Sequence, residues 1–153
     1  EDVLKGINLN IRPGEKIGVV GRTGSGKSTT IMSLLRLLQT HSGEITIDGA
    51  DIYARDLQSL RAGFSVILQE HFLFSGTVRE VTLSHLEIDP LNAFKDEDII
   101  AALQRCGLWD SLHARSGLLT SVEEGGANFS GGERQLINIA RTLLDPKKVV
   151  LVD

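Results

Sequence analysis

The sequence predicts an α/β fold, and two patterns carry that expectation. Segments with strand-like patterning alternate with segments of helical periodicity. The last run, Val149-Val150-Leu151-Val152, is apolar without a break, the mark of a strand buried on both faces of a parallel sheet. Taken in order, Gly6-Ile7-Asn8-Leu9-Asn10-Ile11 alternates apolar and polar residues, and Pro13-Gly14 turns the chain into Lys16-Ile17-Gly18-Val19-Val20. This second run reads as a buried strand, followed at once by a glycine-rich loop over residues 21–26. Ile31, Leu34, Leu35 and Leu38 then recur at i, i+3, i+4 and i+7, which predicts a helix over about residues 27–39, ended by Ser42-Gly43. Glu44 to Asp48 alternates as a short strand closed by a turn at Asp48-Gly49, and Phe64 to Leu68 is a further strand ending at Gln69-Glu70. Residues 78–115 read as mostly helical. The clearest helix there opens with Asp96-Glu97-Asp98, whose charges suit the positive end of a helix dipole, and stops at Gly107 just past Arg105. Residues 116–128 read as a loop hinged at Gly125-Gly126. Leu136, Ile139, Ala140 and Leu143 mark a second strong helix, halted by Asp145-Pro146.

The chain has 153 residues, enough for one domain with one sizeable core. It is 41% hydrophobic and 24% charged, which excludes disordered and collagen-like compositions. A net charge of −4 argues against binding to a phosphate backbone through a basic face, so no nucleic-acid partner is expected. No stretch longer than eight residues is free of Asp, Glu, Lys and Arg, too short to span a bilayer. The lone Cys106 has no internal disulfide partner and fits a reducing compartment. Glu1-Asp2 opens without the basic flank and apolar run of a signal peptide, and both ends are expected to be cuts in a longer polypeptide.

Gly21-Arg22-Thr23-Gly24-Ser25-Gly26-Lys27-Ser28 fits the pattern G-x-x-x-x-G-K-[ST], between an expected strand and an expected helix. Glycines let the chain turn tightly, so that successive backbone N–H groups point inward at phosphate oxygens. Lys27 supplies a point charge for the β and γ phosphates, Ser28 offers a hydroxyl to Mg²⁺, and the helix start adds its positive dipole end. A chance match arises in on the order of one such chain in a hundred, and the strand–loop–helix context makes it rarer. None of the asparagines is followed by Lys, so the Asn-Lys-x-Asp motif that reads guanine is missing. Val149 to Asp153 looks like an apolar strand delivering a carboxylate at its C-terminal end, where ligands collect in open parallel sheets; many buried strands also end in Asp.

Phe129-Ser130-Gly131-Gly132-Glu133-Arg134-Gln135 opens the helix that leads to that strand. Ser130 and Glu133 have capping-box spacing, so a well-capped helix start accounts for part of it. The two glycines cost helix stability and capping does not need them; they leave bare N–H groups for an anion. A second phosphate-binding surface 103 residues beyond Lys27 suggests a nucleotide held between two copies.

These motifs, in this order, resemble the nucleotide-binding domain of ATP-binding cassette (ABC) transporters over residues 4–153. The stretches Glu15 to Thr23, Leu73 to Glu80 and Glu124 to Ser130 are similar to exporters, above all to the second cassette of the multidrug-resistance-associated (C) subfamily. The resemblance implies a P-loop NTPase fold: a RecA-like parallel-sheet core with an antiparallel β subdomain, incomplete here, and an inserted helical subdomain at about residues 72–130. It implies that Gly21, Arg22, Thr23, Gly24, Ser25, Gly26, Lys27, Ser28 and Thr29 bind ATP. Ser28, Gln69 and Asp153 would hold Mg²⁺ and organise the attacking water, with catalytic roles for Lys27, Gln69 and Asp153. Gln69 would also be the hinge to the helical subdomain. Ser130, Gly131, Gly132 and Glu133 would meet ATP bound to the opposite cassette, so that ATP closes a head-to-tail dimer and hydrolysis reopens it. The implied partners are a second cassette and the transmembrane domains of the same transporter, at the cytoplasmic face of a membrane. Phe129 stands where the family usually has Leu, and Glu133 where it has Gln. The adenine-stacking aromatic, the water-polarising glutamate and the switch histidine are expected before residue 1 and after Asp153. The chain alone is accordingly expected to bind Mg-ATP weakly and to hydrolyse it negligibly.

The remaining candidates have plainer readings. His41, His71, His85 and His113 are scattered, without ligand spacing alongside Cys106. Trp109 reads as a core or subdomain contact rather than a stacking platform, Phe72 and Phe74 as internal packing in preference to facing the partner, and Asp96-Glu97-Asp98 as a solvated helix start. Tyr53 lies too far along the chain to be the family's adenine platform. Three functions compete: the ATP-hydrolysing engine of an exporter, a regulatory ATP-binding module with degenerate catalysis, and a soluble ABC-type ATPase of DNA repair or translation. A glutamate after Asp153 would favour the first over the second. The absence of heptads between the two phosphate motifs and the exporter-like Ser75-Gly76-Thr77-Val78-Arg79-Glu80 stretch weigh against the third.

Overall fold

The helix that leaves the glycine-rich loop, α1 (Lys27–Leu34), stops five residues short of its expected end, and the reason lies in one residue. In this computed structural model, which describes residues 3–69, 72–83 and 94–153, Arg36 adopts a left-handed φ of 51°. The N–H of Arg36 donates to Ser33 O at 3.1 Å and that of Leu37 to Met32 O at 2.9 Å, a Schellman closure. A non-glycine residue in this conformation costs about 1–2 kcal/mol. The Arg36 guanidinium offsets that cost by donating to Arg55 O at 2.8 Å and Ile52 O at 3.3 Å, while lying 5.1 Å from the centre of the Tyr53 ring. Leu38 continues the helical spacing in sequence but stands exposed outside the helix.

Two compact units divide the chain: Glu1–Phe64 with Asp153, and Ser65–Val152. In the first, β1 (Thr46–Ile47) and β2 (Ala50–Asp51) form an antiparallel hairpin. Asp48 and Gly49, at φ 53° and 75°, give the two positive values of a type I′ turn, the form whose twist matches paired strands. A 3₁₀ turn at Ile52–Ala54 is capped by Asp51, whose carboxylate accepts from Tyr53 N–H at 2.9 Å. Helix α2 (Leu57–Ala62) is capped likewise by Asp56, accepting from Ser59 N–H at 2.8 Å. Ile52 and Leu60 bury the inner face of this segment. The expected strands at 6–11 and 16–20 are not formed, and Val20 is 98% exposed rather than buried. An apolar run is buried in a sheet only when neighbouring strands pair its backbone, and among the described residues no strand pairs with it.

β3 (Phe64–Ile67), which from Ser65 on belongs to the second unit, pairs with β6 (Val149–Val152). Val150 and Val152 are exposed while Val149 and Leu151 are half-buried, so β6 is covered on one face, not on both as expected. β4 (Gly76–Thr77) lies antiparallel to β5 (Ser121–Val122), which occupies part of the expected 116–128 loop together with 3₁₀ turns at Gly117–Leu119 and Glu124–Gly126. Helix α3 (Val78–Leu83) starts where the Glu80 carboxylate accepts from the N–H and hydroxyl of Thr77 at 2.7 and 2.9 Å. Helices α4 (Asp96–Arg105), α5 (Trp109–His113) and α6 (Gly131–Leu144) complete the unit. Gly107, at φ 71°, ends α4 with the same two bonds that end α1: its N–H to Gln104 O at 2.9 Å and Leu108 N–H to Leu103 O at 3.0 Å. Ile99, Leu103, Leu112 and Ile137 are fully buried at the centre of one apolar core. Arg141 of α6, largely buried, donates twice to Val81 O at 2.7 and 3.0 Å, and burial lowers its pKa to about 10.

Trp109 packs partly buried against that core. Asp96, Glu97 and Asp98 are exposed, with Asp96 paired to Arg79 at 2.7 Å. Phe72 and Phe74 do not pack internally: both are exposed, stacked edge-to-face on each other at 5.4 Å. His71, His85 and residues 84–93 of the expected helical stretch lie outside the described residues. Among the described residues no helix is long and apolar enough to cross a membrane.

Candidate nucleotide site

The loop at 21–26 owes its shape to three glycines. Gly24 and Gly26 sit at φ 80° and 96°, in the left-handed region that other residues occupy only under strain. A Cβ at Gly21 would run into the Ser25 hydroxyl, and one at Gly26 would come within 2.7 Å of Leu4 Cδ2. Ser25 N–H donates to Arg22 O at 3.1 Å and closes the turn. Helix α1 then starts without a side-chain cap and without an acidic residue of its own in its first turn. Thr30 donates its hydroxyl to Gly26 O at 3.0 Å, tying the helix start to the loop, and Ser33 donates to Thr29 O at 2.9 Å within the helix. The Lys27 ammonium reaches back along the loop and donates to Gly21 O at 2.9 Å and Arg22 O at 3.0 Å.

Ser28 donates its hydroxyl to the Asp153 carboxylate at 2.9 Å, within the same unit. Two hard oxygen donors thus converge at the start of α1, a donor set that suits Mg²⁺ bound jointly with phosphate oxygens. Among the described residues no group of three or more His, Cys, Asp or Glu side chains could hold a metal ion, so a cation here would take its remaining ligands from phosphate and water. Gln69 is exposed, two residues beyond β3, and belongs to the second unit.

The 129–135 segment forms its own corner in the second unit. Ser130 is the N-cap of α6: its Oγ accepts from Glu133 N–H at 3.2 Å, and the Glu133 carboxylate accepts from Ser130 N–H at 2.9 Å. The capping box expected from spacing is formed. These bonds, that from the Ser130 N–H foremost, hold the Glu133 carboxyl below its ordinary value, with the Arg115 charge adding to the effect. Gly131 and Gly132 are exposed, neither has a positive φ, and a Cβ at Gly132 would meet nothing within 4 Å. Neither the backbone nor packing within the chain requires glycine at Gly132. Gly126 differs, since at φ 70° its Cβ would meet Arg134 Cδ at 2.8 Å and Leu73 Cδ1 at 3.1 Å. Arg134 donates to Phe129 O at 2.8 Å and Gly126 O at 3.2 Å, fixing the approach to the corner. Arg115 was not legible from the sequence as part of this corner. It lies 18 residues from its partner Glu133, and no local pattern links them.

The structure therefore joins Lys27, Ser28 and Asp153 in one unit, and Ser130 to Glu133 in the other. A family model described as ABC transporter matches residues 4–153. The chain is 42% identical over 152 residues, 99% of its length, to "ATP-binding cassette sub-family C member 2" of Rattus norvegicus, and covers 10% of that relative. It is 42% identical over 153 residues, again 99% of its length and 10% of the relative, to "Metal resistance protein YCF1" of Saccharomyces cerevisiae. With the "Vacuolar heme ABC transmembrane exporter abc3" of Schizosaccharomyces pombe it shares 43% identity over 151 residues, 98% of the chain and 10% of the relative. The chain thus spans about a tenth of the length of the curated relatives it matches.

Proposed function

The chain belongs to the ABC transporter family, with a P-loop NTPase fold, and from that premise we propose that it is an ATP-binding and hydrolysing cassette that powers export across a membrane by dimerising head to tail with a second cassette. The observation that carries this reading is the hydrogen bond between Ser28, the residue after Lys27, and Asp153, 125 residues further along the sequence. In this reading the amides of residues 24–29 and the Lys27 ammonium bind the triphosphate. Each charge-assisted bond contributes about 1.5–3 kcal/mol. Ser28 and Asp153 would hold Mg²⁺, which when bound neutralises charge on the β and γ phosphates. Lys27 leaves the Gly21 and Arg22 carbonyls to meet phosphate oxygens, while Gln69 orients the attacking water. Ser130, Gly131, Gly132 and Glu133 face the ATP of the opposite cassette, which the open surface at Gly132 supports. A hinge at Gln69 to a helical subdomain of about residues 72–130, contact with transmembrane domains and a place on the cytoplasmic face of the membrane complete the proposal.

Two substitutions separate cis from trans roles. Lys27→Ala should weaken Mg-ATP binding by at least about tenfold, the equivalent of one lost charge-assisted bond. Ser130→Arg should spare that affinity and block ATP-driven association of two copies, read by equilibrium dialysis and sedimentation. Equal loss of affinity in both would overturn the trans assignment.

A further inference from the structure

Two residues of the corner, Phe129 and Glu133, converge on one side chain. Arg115 Nη2 donates to Glu133 Oε1 at 2.7 Å, and its guanidinium lies 5.0 Å from the centre of the Phe129 ring. Ser111 adds a hydroxyl to the same carboxylate oxygen at 3.3 Å. Glu133 is at the third position of α6, in the turn whose N–H groups would face an incoming triphosphate. An uncompensated carboxylate there repels phosphate and cancels part of the helix dipole's attraction. The cap bond from the Ser130 N–H goes to the other Glu133 oxygen, Oε2, which leaves Oε1 to the guanidinium.

We propose that Arg115 is a positioning residue of this corner: held against the Phe129 ring, it neutralises Glu133 and fixes its free carboxylate oxygen, which keeps the Ser130-Gly131-Gly132 surface receptive to the triphosphate of a second cassette. The inference rests on the trans contact proposed above. It makes a carboxylate at Glu133 compatible with anion binding only while Arg115 is present. Arg134 does not substitute for it, because that guanidinium is committed to the Phe129 and Gly126 carbonyls.

The test is a double-mutant cycle on Mg-ATP-driven association of two copies of the chain, followed by sedimentation, with ATP affinity measured separately on dilute monomer. Arg115→Met should leave monomer affinity unchanged and weaken association by about tenfold in the presence of Glu133. In a Glu133→Gln background the same substitution should change association by less than about twofold. Should Arg115→Met fail to fold by circular dichroism, Arg115→Gln takes its place in the cycle. An Arg115 substitution without effect on association, or one equally damaging in both backgrounds, overturns the inference while leaving the trans contact standing. Failure of the unsubstituted chain to associate at saturating Mg-ATP overturns the trans contact itself, and the inference with it.

Discussion

Arg36 and Gly107 occupy the same position, one residue past a helix cap, and close their helices with the same pair of backbone bonds. Only Gly107 was legible in advance, because a glycine after a charged last turn is itself the signal. The Arg36 closure depends on carbonyls 16 and 19 residues further on, which no local pattern contains. The contrast yields a prediction. A Cβ at Gly107 meets nothing within 4 Å, so Gly107→Ala tests backbone conformation alone. It should lower stability by about 1 kcal/mol, seen as a shift of the urea midpoint with an unchanged m-value. The phosphate-loop residues and Asp153 were legible for the opposite reason. Lys27 and Ser28 sit in a contiguous motif, and the residue that meets Ser28 comes at the end of the apolar run, where α/β sheets present their ligand-binding groups.

At the level of elements, α6 carries both a stability device and the proposed trans surface. The capping box stabilises its start, whereas Gly132 does nothing for it. Replacing Gly132 by Ala should therefore raise or preserve the melting temperature, since alanine gains up to about 1 kcal/mol in helix propensity. The same methyl group should weaken Mg-ATP-driven association, because it covers N–H groups proposed to meet phosphate. A lower melting temperature would mean that the glycine serves the chain's own packing. The element-level misreadings have a common cause. Helical spacing in 27–39 outruns α1 because periodicity records which residues are apolar, not where the backbone turns left-handed. The returning strand β2 and the short β4–β5 pair were missed because two-residue strands have no period of their own.

Across the whole molecule, acid stability follows from carboxylates that cap helices. Glu80 and Glu133 are both held below the ordinary carboxyl value of 4.5, first by the N–H bonds of Thr77 and Ser130. Their native pKa lies below the unfolded one, so the unfolded chain binds more protons as pH falls. The stability they contribute is fully present above about pH 4.5 and is lost as pH drops through the depressed native values. Urea midpoints should thus be flat between about pH 7 and 5 and fall below about 4.5, with a shallower fall in Glu80→Gln and Glu133→Gln. An unaltered slope in both variants would remove these caps as the cause.

The sequence by itself determined the α/β class, the phosphate loop, the capped start of α6 and the family, because each is written in contiguous residues whose spacing has one physical meaning. Tertiary structure alone decided that Arg115 binds Glu133 and stacks on Phe129, and that Val20 and one face of β6 stand open to solvent. These are contacts between residues far apart in the chain, or the lack of them. They depend on which surfaces the fold brings together, and side-chain pattern along a single segment carries no record of that.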